Sequence, residues 1–162
     1  TIVFYNSLHA GATVNHFHFQ QVFHRTSIKS ENKNTLPDGK FALERAKKIS
    51  LGGRDFLDYV AGCLVYEGDE LNSAWGDVEK LQQRSIPFNF LTIGQRGYLI
   101  PRQLINEKVS EFPNVLAAME SLVFVIAPRE DFYQTLTRDY VISALSKSTY
   151  RPGQILDLVT KD

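Results

Sequence analysis

The run His16-Phe17-His18-Phe19-Gln20 sets two imidazoles and a carboxamide at alternate positions. In an extended strand, side chains at alternate positions share a face, so His16, His18, Gln20 and Val22 would point one way, about 7 Å apart. Asn15, Phe17, Phe19, Gln21 and Phe23 would point the other way, the phenylalanines offering anchors for a core. Imidazole, with an ordinary pKa of about 6.5, is mostly neutral near neutral pH and attacks phosphorus without help from a strong base. A row of His16, His18 and Gln20 on one face could therefore serve chemistry at a phosphate, with an imidazole as nucleophile and a carboxamide as donor. Two plainer readings suit the same row. It fits an edge strand whose polar face meets solvent, and it fits a metal site using His16 and His18 with His24 or His9. No carboxylate or cysteine stands at an obvious ligand spacing, so no metal and no other cofactor is expected.

The preceding segment, Tyr5-Asn6-Ser7-Leu8-His9-Ala10-Gly11-Ala12-Thr13, ends in small residues just before the histidine row. Gly11, Ala12 and Thr13 would let a phosphate approach the backbone closely, with the Thr13 hydroxyl as a donor. Asn6 and Ser7, at the end of the neighbouring strand, are candidates to contact the same ligand, and Asn15 opens the row.

Asn6-Ser7 followed by Gly11-Ala12-Thr13-Val14-Asn15-His16-Phe17-His18-Phe19-Gln20 resembles the active-site segment of the galactose-1-phosphate uridylyltransferase branch of the histidine-triad superfamily. Within that branch it is most similar to the GDP-hexose phosphorylases acting on GDP-L-galactose or GDP-D-glucose. Downstream, Gly62-Cys63-Leu64-Val65-Tyr66-Glu67-Gly68, Ile86-Pro87-Phe88-Asn89-Phe90-Leu91 and Pro128-Arg129-Glu130-Asp131-Phe132-Tyr133 resemble further stretches of those enzymes. The resemblance implies a nucleotidyltransferase in which His18 attacks the α-phosphorus of a GDP-hexose. Hexose 1-phosphate leaves, and inorganic phosphate then takes the nucleotidyl group from the histidine. It implies His18, His16 and Gln20 as the catalytic group, and Asn6, Ser7, Gly11, Thr13 and Asn15 as phosphate contacts. The implied partners are a nucleotide sugar and phosphate. A nucleoside polyphosphate phosphorylase or hydrolase, and a nucleotide-binding domain without catalysis, remain the alternatives.

The chain departs from the family in three ways. His9 and Ala10 stand where small residues are expected, and His9 reads as an incidental loop residue. The lone Cys63 cannot supply the cysteine-based zinc sites of the uridylyltransferases. The motif also starts at residue 14, whereas in this branch it closes the first half of a duplicated fold. Thr1 opens straight into the apolar run Ile2–Tyr5, which reads as a cut chain, a fragment resembling the active-site hairpin plus the second half. A missing N-terminal half, or the second subunit of a homodimer, would then complete the base pocket.

The elements that must hold these residues can be read from pattern. Ile2–Tyr5 and Val14–Phe23 read as strands, antiparallel if they pair, and Thr26–Lys40 reads as a mobile loop. Phe41–Ser50 is ambiguous between a short helix and an extended segment, whereas Leu57–Tyr66 reads as one buried strand. Asp69 can cap a helix to about Arg84, with Leu71, Ala74, Trp75, Val78 and Leu81 on its apolar face. Ile86–Ile93 and Gly97–Pro101 read as a hairpin, Met119–Ala127 as a strand, Glu130–Ser146 as a helix with Phe132, Leu136, Tyr140, Val141 and Ala144 inside, and Tyr150–Asp162 as holding one more short helix. Arg96, Arg102 and Lys108 read as solvent-facing, Trp75 as core, Asn89 as a buried, satisfied amide and Cys63 as inert.

The predicted fold is a single α+β domain over residues 1–162: a histidine-triad-like antiparallel sheet with helices packed on one face. Its parts are an active-site hairpin over 1–23, the loop 26–40 and a body over 41–162. Eighteen basic residues balance eighteen acidic ones, so no overall field favours nucleic acid or an anionic membrane. No apolar run reaches the roughly 18 residues of a membrane span, and a cytoplasmic location is expected.

Overall fold

The computed structural model describes residues 1–7, 9–10, 19–22, 41–103, 118, 130, 134 and 136–161. These form an α+β fold around a seven-stranded antiparallel sheet of order β2-β1-β6-β7-β5-β4-β3. The strands are β1 (Ile2–Asn6), β2 (Gln20–Val22), β3 (Lys47–Leu51), β4 (Arg54–Asp58), β5 (Cys63–Glu67), β6 (Phe88–Ile93) and β7 (Arg96–Pro101). The helices are α1 (Ala42–Arg45), α2 (Ala74–Gln83), α3 (Arg138–Ser148) and α4 (Pro152–Thr160), with a 3-10 segment at Gly68–Ser73 leading into α2.

Alternation divides the sheet into two faces. Ile2 and Phe4 of β1 sit opposite Ile93 and Leu91 of β6, and Leu91 sits opposite Tyr98 of β7. This face joins Val65, Cys63 and Leu57 in one core, which Phe41 and Leu43, at the start of and within α1, cover together with Ala118. On the other face Phe88, Leu99, Leu64, Tyr66 and Phe56 pack against Ala74, Val78 and Leu81 of α2 and Ile155 and Val159 of α4. Helices therefore lie on both faces rather than on one, because the four-residue α1 takes the side opposite α2 and α4. Helices α2 and α4 are also tied by polar contacts. Lys80 of α2 donates to the Val159 carbonyl (2.5 Å), and Arg84 donates to those of Leu158 (3.0 Å) and Lys161 (2.8 Å), satisfying carbonyls at the C-terminal end of α4.

Several sequence expectations are met. β1 and the described part of the second strand pair antiparallel, β6 and β7 form a hairpin turning at Gly94 (φ +61°), and Pro152 opens α4. The ambiguous segment after residue 40 is both things in succession, α1 followed by β3. Leu57–Tyr66 is not one strand. The chain bends over Tyr59–Gly62 between β4 and β5, and Gly62 runs so close to the Tyr150 carbonyl that a Cβ there would lie 1.8 Å from its oxygen. Asp69 does not cap α2; the chain first makes the 3-10 turn, and Ser73 precedes α2 without a side-chain cap. The long helix expected over Glu130–Ser146 is interrupted at Leu136–Thr137. There Thr137 accepts from the Tyr140 amide (3.2 Å) and starts α3 afresh. The loop at 26–40 and the strand at 119–127 fall outside the described residues.

Candidate functional site

β1 ends at Asn6, and the chain turns at once over Ser7–Ala10. Ser7 closes the ladder with β6: its amide donates to the Phe88 carbonyl (3.0 Å), and the Phe88 amide donates back to Ser7 Oγ (2.7 Å). The Ala10 amide returns to the Ser7 carbonyl (3.0 Å), and the exposed His9 holds φ +64°, a left-handed conformation that histidine tolerates better than most residues.

Beneath this turn lies a buried polar cluster. Asn6 and Asn89 are cross-strand partners on the Phe4 face of the sheet. Asn6 Oδ1 accepts from Asn89 Nδ2 (2.9 Å) and from the Ala118 amide (3.1 Å). Asn89 Nδ2 donates a second time, to the Ala10 carbonyl (2.6 Å), and Arg102 Nη1 donates to Asn89 Oδ1 (3.4 Å). Asn89 is fully buried and satisfied, as the sequence reading holds. Arg102 is not solvent-facing: it is 3% exposed, because it follows β7 on the inward face and its side chain ends at the Asn89 carboxamide. The sequence carries one signal for this cluster, the placing of Asn6 and Asn89 among apolar strand residues, but not the pairing between them.

Among the predicted site residues, Gln20, Asn6 and Ser7 are described; His18, His16, Gly11, Thr13 and Asn15 lie outside the described residues. Gln20 and Val22 stand opposite Phe4 and Ile2 and so share the face of Asn6. Gln20 is exposed on β2, at one edge of the sheet among the described strands. Asn6 and Ser7 are buried, 8% and 7% exposed, and their side-chain oxygens already accept from the protein.

No family model, no curated protein and no solved structure matches the chain.

The opposite face of the same sheet edge is aromatic. Tyr5 stacks in tilted fashion on Phe19 (5.8 Å between centroids) and Phe88 (5.7 Å), and Trp75 lies 6.3 Å from Phe90. Together with Val78 and Gln82 these rings line a shallow cleft. Phe19 does not anchor a core as expected; it is 50% exposed on the rim over Tyr5. Trp75, expected in the core, is 53% exposed, because its position on α2 lies beyond the buried stripe of Ala74, Val78 and Leu81. Cys63 is buried, and desolvation pushes its thiol far above the ordinary range, in keeping with an inert residue. No group of three or more His, Cys, Asp or Glu able to hold a metal occurs among the described residues, and none of their helices is long and apolar enough to cross a membrane.

Proposed function

We propose that this chain carries the histidine strand of a nucleotidyl-transferring phosphorylase acting on a GDP-hexose. A ring nitrogen of His18 attacks the α-phosphorus, a P–N bond forms, and the bond from that phosphorus to the bridging oxygen of the hexose 1-phosphate breaks. An oxygen of inorganic phosphate then attacks the same phosphorus, releasing GDP and restoring the imidazole. Gln20 donates to the phosphoryl oxygens, His16 steadies the nucleophile, and Gly11, Thr13 and Asn15 line the phosphate cradle. The finer fold reading, a histidine-triad-like half of a duplicated fold, belongs to the same proposal, as do a cytoplasmic setting and a partner subunit or further segment completing the base pocket.

The observation that carries the reading is the position of Gln20, the last member of the His-x-His-x-Gln row. It is an exposed carboxamide on an edge strand paired to β1, on the face of the pinned Asn6 turn. The burial of Asn6 and Ser7 refines it: they support the turn, and direct phosphate contact falls to Gln20 and the segment beyond residue 10. The test is phosphate-dependent release of hexose 1-phosphate from GDP-glucose or GDP-galactose, expected in the wild type and lost in His18→Ala. Equal turnover in that variant would refute the reading, and preference for dinucleoside polyphosphates in the same assay would reassign the substrate.

A further inference from the structure

Lys147 and Arg151 stand on either side of the link between α3 and α4, both exposed, and neither side chain meets a carboxylate or a carbonyl among the described residues. Elsewhere cations serve the fold itself. Lys48, Arg54 and Arg96 pair with carboxylates, and Lys80 and Arg84 donate to carbonyls at the C-terminal end of α4. Lys147 lies in the last turn of α3, where a lysine ordinarily does the same for the final carbonyls. Here Gln103 does it instead: its amide donates to the Ser148 carbonyl (3.0 Å) and its Nε2 to that of Thr149 (2.9 Å). The Lys147 ammonium is left for another partner.

Both cations line one cleft of about 610 Å³, together with Gln103, Ser146, Thr149 and Gln154. That volume falls within the ~300–1,000 Å³ of small-molecule sites. No carboxylate lines it. Its floor is fixed by Thr149, which is buried, donates to the Leu145 carbonyl (2.9 Å) and accepts from the Gly62 amide (3.4 Å). Gln154 Oε1 accepts from the Arg151 amide (3.0 Å), so that carboxamide has its Nε2 hydrogens left to offer. Two positive charges, a carboxamide donor and the Ser146 hydroxyl thus surround one roomy space. A planar guanidinium matches two oxygens of a phosphate at once, and an ammonium adds the second charge that a dianion needs.

We propose that this cleft between α3 and α4 binds a small phosphate ester, its phosphate held by Lys147 and Arg151 with Gln154 Nε2 as a further donor. The inference does not depend on the proposed function. The test is an NMR titration of the chain's backbone amides with glycerol 3-phosphate, with glycerol and inorganic phosphate as comparisons. Glycerol 3-phosphate is expected to shift the amides of Arg151, Gly153 and Gln154 saturably, inorganic phosphate to compete with it, and glycerol to shift none of them. Lys147→Gln and Arg151→Gln should each weaken binding about tenfold, the loss of one charge-assisted contact, and Arg151→Lys, which keeps the charge but not the fork, by about threefold. Lys47→Gln removes another exposed cation, on β3, and should leave the affinity unchanged. All four are surface substitutions, so Tm is expected to hold. No saturable shift, unchanged affinity in both Lys147→Gln and Arg151→Gln, or an equal loss in Lys47→Gln would overturn the inference. Binding of inorganic phosphate but not of glycerol 3-phosphate would overturn the assignment to an ester. Phosphate bound at the histidine row instead would move other amides and persist in Lys147→Gln and Arg151→Gln, which also overturns it.

Discussion

Asp77→Ala is expected to destabilise the fold by about 3 kcal/mol, a value that follows from what the carboxylate holds. Asp77 lies on α2 with its side chain 2% exposed, accepting from Arg54 Nη2 (2.9 Å) and from the Tyr66 hydroxyl (2.8 Å). It thereby ties α2 to β4 and β5. Burial first, and the Asp77 charge second, hold the Tyr66 phenol well above its ordinary range, so it stays a donor throughout the working pH range. Truncation leaves that hydroxyl buried without its acceptor, at about 1–3 kcal/mol, and strips Arg54 of its counter-ion. Breaking a fully buried pair costs about 3–5 kcal/mol; the Arg54 side chain, 30% exposed, regains some hydration and brings the total to the lower end. For a chain of this size the loss corresponds to a fall in Tm of about 6–12 °C. Urea unfolding followed by circular dichroism measures it, with the m-value unchanged. A double-mutant cycle with Tyr66→Phe should return a coupling of about 1–2 kcal/mol. A loss below about 1 kcal/mol, or no coupling, would refute the view that this network fastens α2 to the sheet.

Three further outcomes are expected. Gly62→Ala forces a methyl group against the Tyr150 carbonyl, 1.8 Å from its oxygen, and should cost about 2 kcal/mol or more in chemical denaturation; a neutral result would contradict the close approach. Tyr98→Phe removes a hydroxyl that is buried without a hydrogen-bond partner in direct reach among the described residues, and whose pKa burial, opposed by the Arg96 guanidinium, pushes up to about 12, so thermal unfolding should show no loss and a gain of up to about 1 kcal/mol; a marked loss would mean that the hydroxyl has a partner. Hydrogen bonds from Lys48 and Ser50 hold the Asp55 carboxyl below its ordinary 3.8, so the stability it contributes is fully present above that value and drains as pH falls through the lowered folded pKa. Asp55→Asn should therefore flatten the acid limb of the stability profile below pH 3.8; an identical acid limb would contradict this.

Elements whose signals are local were legible in the sequence. The β6–β7 hairpin turns at Gly94, α4 starts at Pro152, and β1 is a run of β-branched and aromatic residues. What escaped depends on distant contacts. The split between β4 and β5 follows from Gly62 docking on Tyr150, eighty-eight positions away, which no periodicity reveals. Arg102 reads as a surface cation because nothing local announces that Asn89, on the neighbouring strand, receives it. Trp75 fits the helical spacing, yet the neighbouring elements bury only Ala74, Val78 and Leu81 of that stripe. At the candidate site, alternation correctly set Gln20 and Val22 on one face. The sequence places Asn6 and Ser7 at a strand end beside a small-residue turn, but it does not show that their side-chain oxygens accept from Asn89 and from the Phe88 amide of β6.

The proposed function requires that His18 become covalently nucleotidylated. Its most direct test is the intact mass of the chain after mixing with GDP-glucose in the absence of phosphate. A gain of one GMP, removed on adding phosphate and absent in His18→Ala, is the predicted result. An unchanged mass in the wild type, or the same gain in His18→Ala, would contradict it.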